Sequence, residues 1–341
     1  MEVPGLPATA ELELETALRK LITERELPLY RIMAFQLGWV DENGEPVNRP
    51  TPDRVHGVLA LATAQAVGGD FRPATGYGAA VELVHNFWQV HADVEDGNTE
   101  RGGRPSVWWT WGPAQAINAG DGMHAMARLA LFGLRNNGVA PERVLAAVKA
   151  LDEATVQLCE GEYLDITYQE RLTVSVDDYL SMAEARSGAL FGCAARLGAL
   201  AAAPDAAQAA ERLGEFGVKL GAARQVAGDI AALWGQSERD QAQQGRLIAK
   251  KKNLPVVHAM ATADPTTRRR LGDLYVQRVL DPAAIKTVAG MLEASGSRRF
   301  AEDTLARLLA EADAALSAAG LTKEGAELLR GAARNIAAAS S

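Results

Sequence analysis

Residues 80–105 read Ala-Val-Glu-Leu-Val-His-Asn-Phe-Trp-Gln-Val-His-Ala-Asp-Val-Glu-Asp-Gly-Asn-Thr-Glu-Arg-Gly-Gly-Arg-Pro. The carboxylates of Asp93 and Asp96 stand three positions apart, a spacing that puts them on one face of a helix. Paired carboxylates on one face hold a hard cation such as Mg2+. That cation can hold a diphosphate, and an arginine such as Arg101 reinforces it. A solvated helix end with an acidic face has the same composition, and composition alone favours it.

Other chemistry-bearing residues read as structural. His91 and His124 have no partner at metal-ligand spacing. Trp108, Trp109 and Trp111 read as packing near a helix junction. Cys159 and Cys193 lie in apolar helical stretches and are expected to be reduced core thiols.

The elements that must position these groups are helices. Apolar residues recur at three- and four-residue steps in 11–24, 55–67, 79–94, 125–134, 142–158, 176–200, 206–233, 266–279 and 298–319. Asp264-Pro265 and Asp281-Pro282 each place an N-cap acid before a first-turn proline, and Ser175 with Asp178 resembles a capping box. Alternating strand patterns are nearly absent. Residues 39–52, with Asn43-Gly44 and three prolines, read as a polar loop. No linker divides the chain, so residues 1–341 are expected to form a single all-α domain of roughly ten to thirteen helices, with 1–10 and 337–341 flexible.

Bulk numbers bound the function. The chain has 341 residues, 48% hydrophobic and 23% charged, with a net charge of -8. That charge argues against a nucleic-acid partner held by a broad basic surface. No segment reaches the apolar length of a membrane span, and no basic leader precedes an apolar run, so a cytoplasmic protein is expected.

The ordered motifs resemble the trans-isoprenyl diphosphate synthases, the polyprenyl synthetase family. That family's pattern here is Glu-Leu-Ile-His, then His-Asp-Asp-x-x-Asp, then Arg-Arg-Gly-x-Pro. Further landmarks follow in order. Asn118-Ala-Gly-Asp121 matches Ala-Gly-Asp, and Glu160-Gly-Glu-Tyr-Leu-Asp165 matches Gly-Gln-x-Leu-Asp. Arg186-Ser187-Gly188 matches Lys-Thr-Gly, and Phe216 to Val226 leads into a second aspartate-rich site. Lys251-Lys-Asn-Leu-Pro255 matches Gly-Lys-x-Thr-Leu-Pro. The landmarks run from about Leu29 to His258. The resemblance implies a helical bundle around a central apolar cavity, commonly dimeric, with the aspartate clusters facing each other at its mouth and holding Mg2+.

The chain departs from that pattern at specific positions. Ala92 replaces the first aspartate of the first cluster, leaving Asp93 and Asp96 as implied catalytic and metal-binding residues. In the second cluster, Gly228-Asp229-Ile230-Ala231-Ala232 leaves Asp229 alone in that role. A further family aspartate is Arg246 here. Two lone carboxylates supply too few oxygens for a tight trinuclear site, so the Mg2+ site is expected to be weak or absent.

The isopentenyl diphosphate pocket has changed too. Asp53, His56 and Gly102 stand where the family has lysine or arginine, while Arg54 and His85 persist. A diphosphate carries roughly two to three negative charges, and aspartate repels it where lysine attracted it. On the allylic side Arg101, Arg186, Gln225, Asp229 and Lys251 sit at matching positions. Lys250, Lys252 and Arg246 add positive charge that either partly replaces missing metal or forms a solvated basic loop. By resemblance Phe87 and Trp88 face the tail cavity, which suggests a tail of roughly C10 to C15. They could equally be packed core aromatics. Arg224 stands where the family usually has phenylalanine and alters that cavity if it faces inward.

Three functions follow. The reading favoured by the uneven loss is a protein that binds one allylic prenyl diphosphate and ionises or cyclises it, as class I terpene synthases do. The alternatives are a silent partner of an active synthase, in a heterodimer, and an active prenyltransferase. The resemblance makes a homodimer the expected assembly otherwise.

Overall fold

The structure is a computed structural model that describes residues 3–47, 52–171, 173–203, 205–235, 251–276 and 282–338. Arg246, Lys250 and Asp281, singled out above, lie outside these residues. The expected all-α architecture is present. Strand among the described residues is limited to the two-residue pair β1 (Glu100–Arg101) and β2 (Arg104–Pro105), with one further bridge between Val40 and Pro46 in the predicted loop. Contacts divide the chain into two units. The first comprises Met1–Thr155, Cys193–Gly214 and Leu316–Ala332, and the second comprises Val156–Gly192, Glu215–Ala315 and Ala333–Ser341.

In the first unit, α1 (Thr9–Thr23) buries Ala10, Leu14, Leu18 and Ile22, one residue per turn. Each buried leucine or isoleucine contributes roughly 2 kcal/mol. Val3 is buried as well. Helix α2 (Pro28–Gln36) starts on a first-turn proline. Helix α3 (Val55–Gly68) is buried on nearly every side, as its apolar composition requires.

Helix α4 (Thr75–Asp96) carries the aspartate pair on its last turn. It packs along α3 and along α6 (Pro113–Gly133), which follows the short α5 (Val107–Trp111). Glycines make the α3–α4 crossing close: a methyl on Gly78 would sit 3.0 Å from the Gly57 carbonyl oxygen. Helices α7 (Pro141–Glu170), α9 (Ala189–Ala202) and α10 (Ala207–Trp234) run through both units.

In the second unit, α8 (Val176–Ala183) begins as its capping box predicts, with Ser175 Oγ accepting from the Asp178 N–H at 3.0 Å. It passes through a π-helical turn, Glu184–Gly188, into α9. Tyr179, Met182, Ala223, Val226, Leu254 and Leu308 form one core cluster. A second cluster joins the end of α10 to α11 (Leu254–Thr262), α12 (Pro265–Val276) and α13 (Pro282–Ala294). Asp264 caps α12 as expected, accepting from the Thr266 and Thr267 N–H groups. Helices α14 (Ser297–Ser317) and α15 (Lys323–Ala338) complete the chain. Among the described residues no helix is long and apolar enough to cross a membrane.

One expectation is corrected. Cys193 is buried, and burial pushes its thiol up to about 12, but Cys159 is exposed. Position 159 lies on the outward face of α7 with Val156 and Tyr163, so apolar neighbours in sequence did not make it a core residue.

Candidate active site

Helix α4 ends at Gly97, whose φ of 66° lies in the left-handed region, and the chain then turns back through β1 and β2. Gly102 and Gly103 make that turn with φ of 56° and 71°. The turn returns Arg101 to Asp93. Arg101 Nη2 donates to Asp93 Oδ1 at 2.6 Å, and Nε donates to Oδ1 at 3.0 Å and Oδ2 at 3.1 Å. Asn98 Nδ2 adds a weaker donor at 3.4 Å. Asp93 is 2% exposed. Burial pushes its carboxyl above the ordinary range, and Arg101 and Asn98 pull it back. Ala92 is buried beside it, and Asp96 is half-buried one turn on.

The residues matching the isopentenyl pocket also lie in the first unit. Arg54 is buried, with Nε donating to Glu15 Oε2 at 3.1 Å and Nη2 to the Leu37 carbonyl at 2.6 Å. Glu15 also accepts from the Trp39 indole N–H. Arg54 therefore ties α1 to the end of α2 and the start of α3. Asp53 beside it is exposed. The His85 ring lies 4.3 Å from His56 and 5.7 Å from Trp88. Glu82 accepts from the Gly57 N–H at 3.0 Å. Burial raises the Glu82 carboxyl to about 7, against the pull of Arg54.

Phe87 is packed by protein, with His124 stacked on it at 4.9 Å and His91 edge-on at 4.8 Å. His91 itself meets the Ile117 carbonyl at 3.2 Å, a structural contact like the one expected for it.

The second unit gathers four charges. Arg186 sits in the π-helical turn, an irregularity that recurs at functional sites. Its Nε lies 2.8 Å from Glu162 Oε2 and 3.3 Å from Asp165 Oδ2. Lys251 Nζ lies 3.0 Å from Glu162 Oε1 and 2.9 Å from Asp165 Oδ2. All four side chains are buried, and Lys251 is 0% exposed at its side chain. Glu162 and Asp165 share one face of α7 by their three-residue spacing. Gly161 permits the approach of the turn. A methyl there would stand 2.3 Å from the Arg186 backbone nitrogen. Gly161→Ala is therefore expected to destabilise the chain by roughly 1–3 kcal/mol, read by urea unfolding. No measurable loss would mean the turn has room to move.

Next to the quartet, Ser187 Oγ donates to Gln225 Oε1. Gln225 Nε2 reaches Tyr179 Oη at 3.3 Å, and Tyr179 in turn donates to Asp229. Asp229 Oδ2 also accepts from the Leu254 N–H at 2.8 Å, at the start of α11. Asn253 caps the same helix, accepting from Val256 N–H at 3.1 Å. Arg224 donates to the Ile336 carbonyl at 2.8 Å, in the last turn of α15. Burial pulls the Lys252 ammonium below its ordinary range.

The structure thus brings Asp93 to Arg101, His85 to His56, Arg186 to Lys251, and Gln225 to Asp229 through Tyr179. Sequence reasoning missed Glu162, Asp165, Tyr179 and Glu15 as partners. A Mg2+ ion wants about six oxygens in octahedral array. Asp93 turns both oxygens to Arg101, and Asp229 is engaged by Tyr179 and by the start of α11. Among the described residues no three His, Cys, Asp or Glu side chains converge as a metal cage would need. A Mg2+ ion is usually held by one or two carboxylates together with waters and substrate phosphate oxygens, so a bound diphosphate would supply part of the donor set.

Comparison with known proteins gives the family. The polyprenyl synthetase family model matches residues 39–292. A (2E,6E)-farnesyl diphosphate synthase of Mycobacterium bovis is 34% identical over 304 residues, 88% of this chain and 82% of that protein. A geranylgeranyl diphosphate synthase of Mycobacterium tuberculosis is 34% identical over 286 residues, 84% of this chain and 80% of that protein. The crystal structure of a polyprenyl synthetase from Streptomyces coelicolor A3(2) superposes with a TM-score of 0.87 at 29% identity, over 98% of this chain and 99% of that one. With its helical architecture and motif order in place, the chain belongs to the polyprenyl synthetase family.

Proposed function

We propose that this chain is a prenyltransferase that joins a short allylic prenyl diphosphate to isopentenyl diphosphate. The observation that carries the reading is kinship: 34% identity across 88% of the chain to a protein named as a farnesyl diphosphate synthase. In the reaction, the allylic C–O bond breaks and its electron pair leaves with the diphosphate. The allylic carbon bonds to the terminal alkene carbon of isopentenyl diphosphate, and a proton is lost from the cation so formed. In this reading Arg186 and Lys251 hold the leaving diphosphate, with Gln225 beside them. Arg101, Arg54 and His85 are assigned to diphosphate binding, and Asp93, Asp96 and Asp229 to organising the charged end of the substrate. Phe87 and Trp88 are assigned to the tail.

A second reading is the one the uneven sequence changes favoured: one allylic diphosphate handled without elongation. Its specific support is that Asp93 and Asp229 are engaged by protein donors, and that Asp53 is exposed beside a buried, paired Arg54. Product analysis separates the two. The chain is incubated with geranyl or farnesyl diphosphate, with and without isopentenyl diphosphate and Mg2+. Prenyl transfer yields a longer diphosphate only when isopentenyl diphosphate is present. A hydrocarbon or alcohol formed without it supports the second reading and overturns the first.

We also propose a homodimer. Helix α6 leaves Leu129 and Phe132 exposed, at 51% and 43%, and α7 leaves Leu145 59% exposed. Leu129 and Phe132, three positions apart, share one face of α6, and exposed apolar faces mark interaction surfaces. Phe132→Glu with Leu129→Glu is expected to halve the mass seen by sedimentation equilibrium. An unchanged dimer, or a monomeric wild type, contradicts the assignment.

A further inference from the structure

Arg186 and Lys251, the cations assigned above to the diphosphate, are both held by the same two carboxylates, Glu162 and Asp165. Two positive and two negative charges sum to zero. A diphosphate brought to this cluster meets neutralised cations and two carboxylates that repel it. The two carboxylates are not equivalent. Asp165 is short and 1% exposed, while Glu162 has one more rotatable bond and is 5% exposed. Glu162 also spans the pair, with one oxygen on Arg186 and the other on Lys251. A glutamine, the residue of the matching family motif, would leave the cluster with one net positive charge.

We propose that Glu162 is the residue that sets this chain's affinity for its substrate: its carboxylate is an internal competitor for the cations that take the prenyl diphosphate. Binding requires Glu162 to release Arg186 and Lys251, and the diphosphate oxygens then replace its two oxygens. The release costs affinity, so the natural chain binds prenyl diphosphates weakly. It also makes the site selective for ligands with enough charge to displace a carboxylate, which a prenyl monophosphate has less of.

The inference rests on the assignment of Arg186 and Lys251 to the diphosphate, and the experiment separates the two. Farnesyl diphosphate is titrated calorimetrically, in excess Mg2+, into the full chain and into Glu162→Gln. The variant is expected to bind at least tenfold more tightly, while Glu162→Asp, which keeps the charge, stays near wild type. Without ligand the Glu162→Gln chain is expected to melt lower, and inorganic diphosphate should raise its melting temperature more than that of the wild type. Equal affinity in both chains overturns the inference and leaves the site assignment standing. Binding to neither overturns both. If Glu162→Gln does not fold alone, millimolar inorganic diphosphate is expected to recover it with native helicity. Failure of that recovery also overturns the inference.

Discussion

Replacing Lys251 with methionine is expected to lower the unfolding free energy by about 3–5 kcal/mol, the usual cost of removing one partner from a buried ionic group. Methionine matches the length of the lysine stem and fills irregular space, so the loss of packing is small. The electrostatic loss is large. Lys251 Nζ is the group that Glu162 and Asp165 share, at 3.0 and 2.9 Å. Without it, two buried carboxylates lose the ammonium that they share. Urea unfolding of the two chains at neutral pH measures the difference. A loss under about 1 kcal/mol, the range of exposed pairs, would contradict the quartet as a buried ionic unit.

The second large effect is on the pH dependence of stability. Glu82 has an ordinary value of 4.5 and is raised by burial to about 7 in the folded chain. Between those values the folded chain keeps a proton that the unfolded chain has released. Stability therefore falls as pH rises through that window, by roughly 3 kcal/mol at completion. Above the window the folded chain carries a buried carboxylate that Arg54 and the Gly57 and His56 N–H groups offset in part. Glu82→Gln keeps an oxygen to accept from Gly57 and removes the titration. It is expected to flatten the stability profile between pH 5 and pH 8 and to be the more stable chain at pH 8. Equal slopes for the two chains would show that Glu82 does not titrate as its burial requires.

The helices were legible because their apolar residues repeat with the turn, as Leu14, Leu18 and Ile22 do in α1. Local capping chemistry was legible for the same reason: Ser175 and Asp264 bond to backbone groups two or three residues away. The β1–β2 turn escaped notice because strands of two residues have no alternation to read. Charge pairing escaped for a different reason. Asp93 and Arg101 were each visible, but only a turn at Gly102–Gly103 shows that one occupies the other. Lys251 and Glu162 are 89 residues apart, and no spacing rule connects them. Motif order placed the allylic-side residues near one another but did not show that acids of the same chain already hold them. The sequence changes argued for handling one diphosphate. Kinship with named farnesyl and geranylgeranyl diphosphate synthases shifts the balance toward prenyl transfer.

Prenyl transfer is tested most directly by the mass of the product formed from geranyl diphosphate or farnesyl diphosphate, each with isopentenyl diphosphate and Mg2+ and the purified chain. The expected product is a prenyl diphosphate one isoprene unit longer, released with inorganic diphosphate in equal amount. Both allylic diphosphates recovered unchanged, or converted to an alcohol or hydrocarbon while isopentenyl diphosphate stays unconsumed, would contradict it.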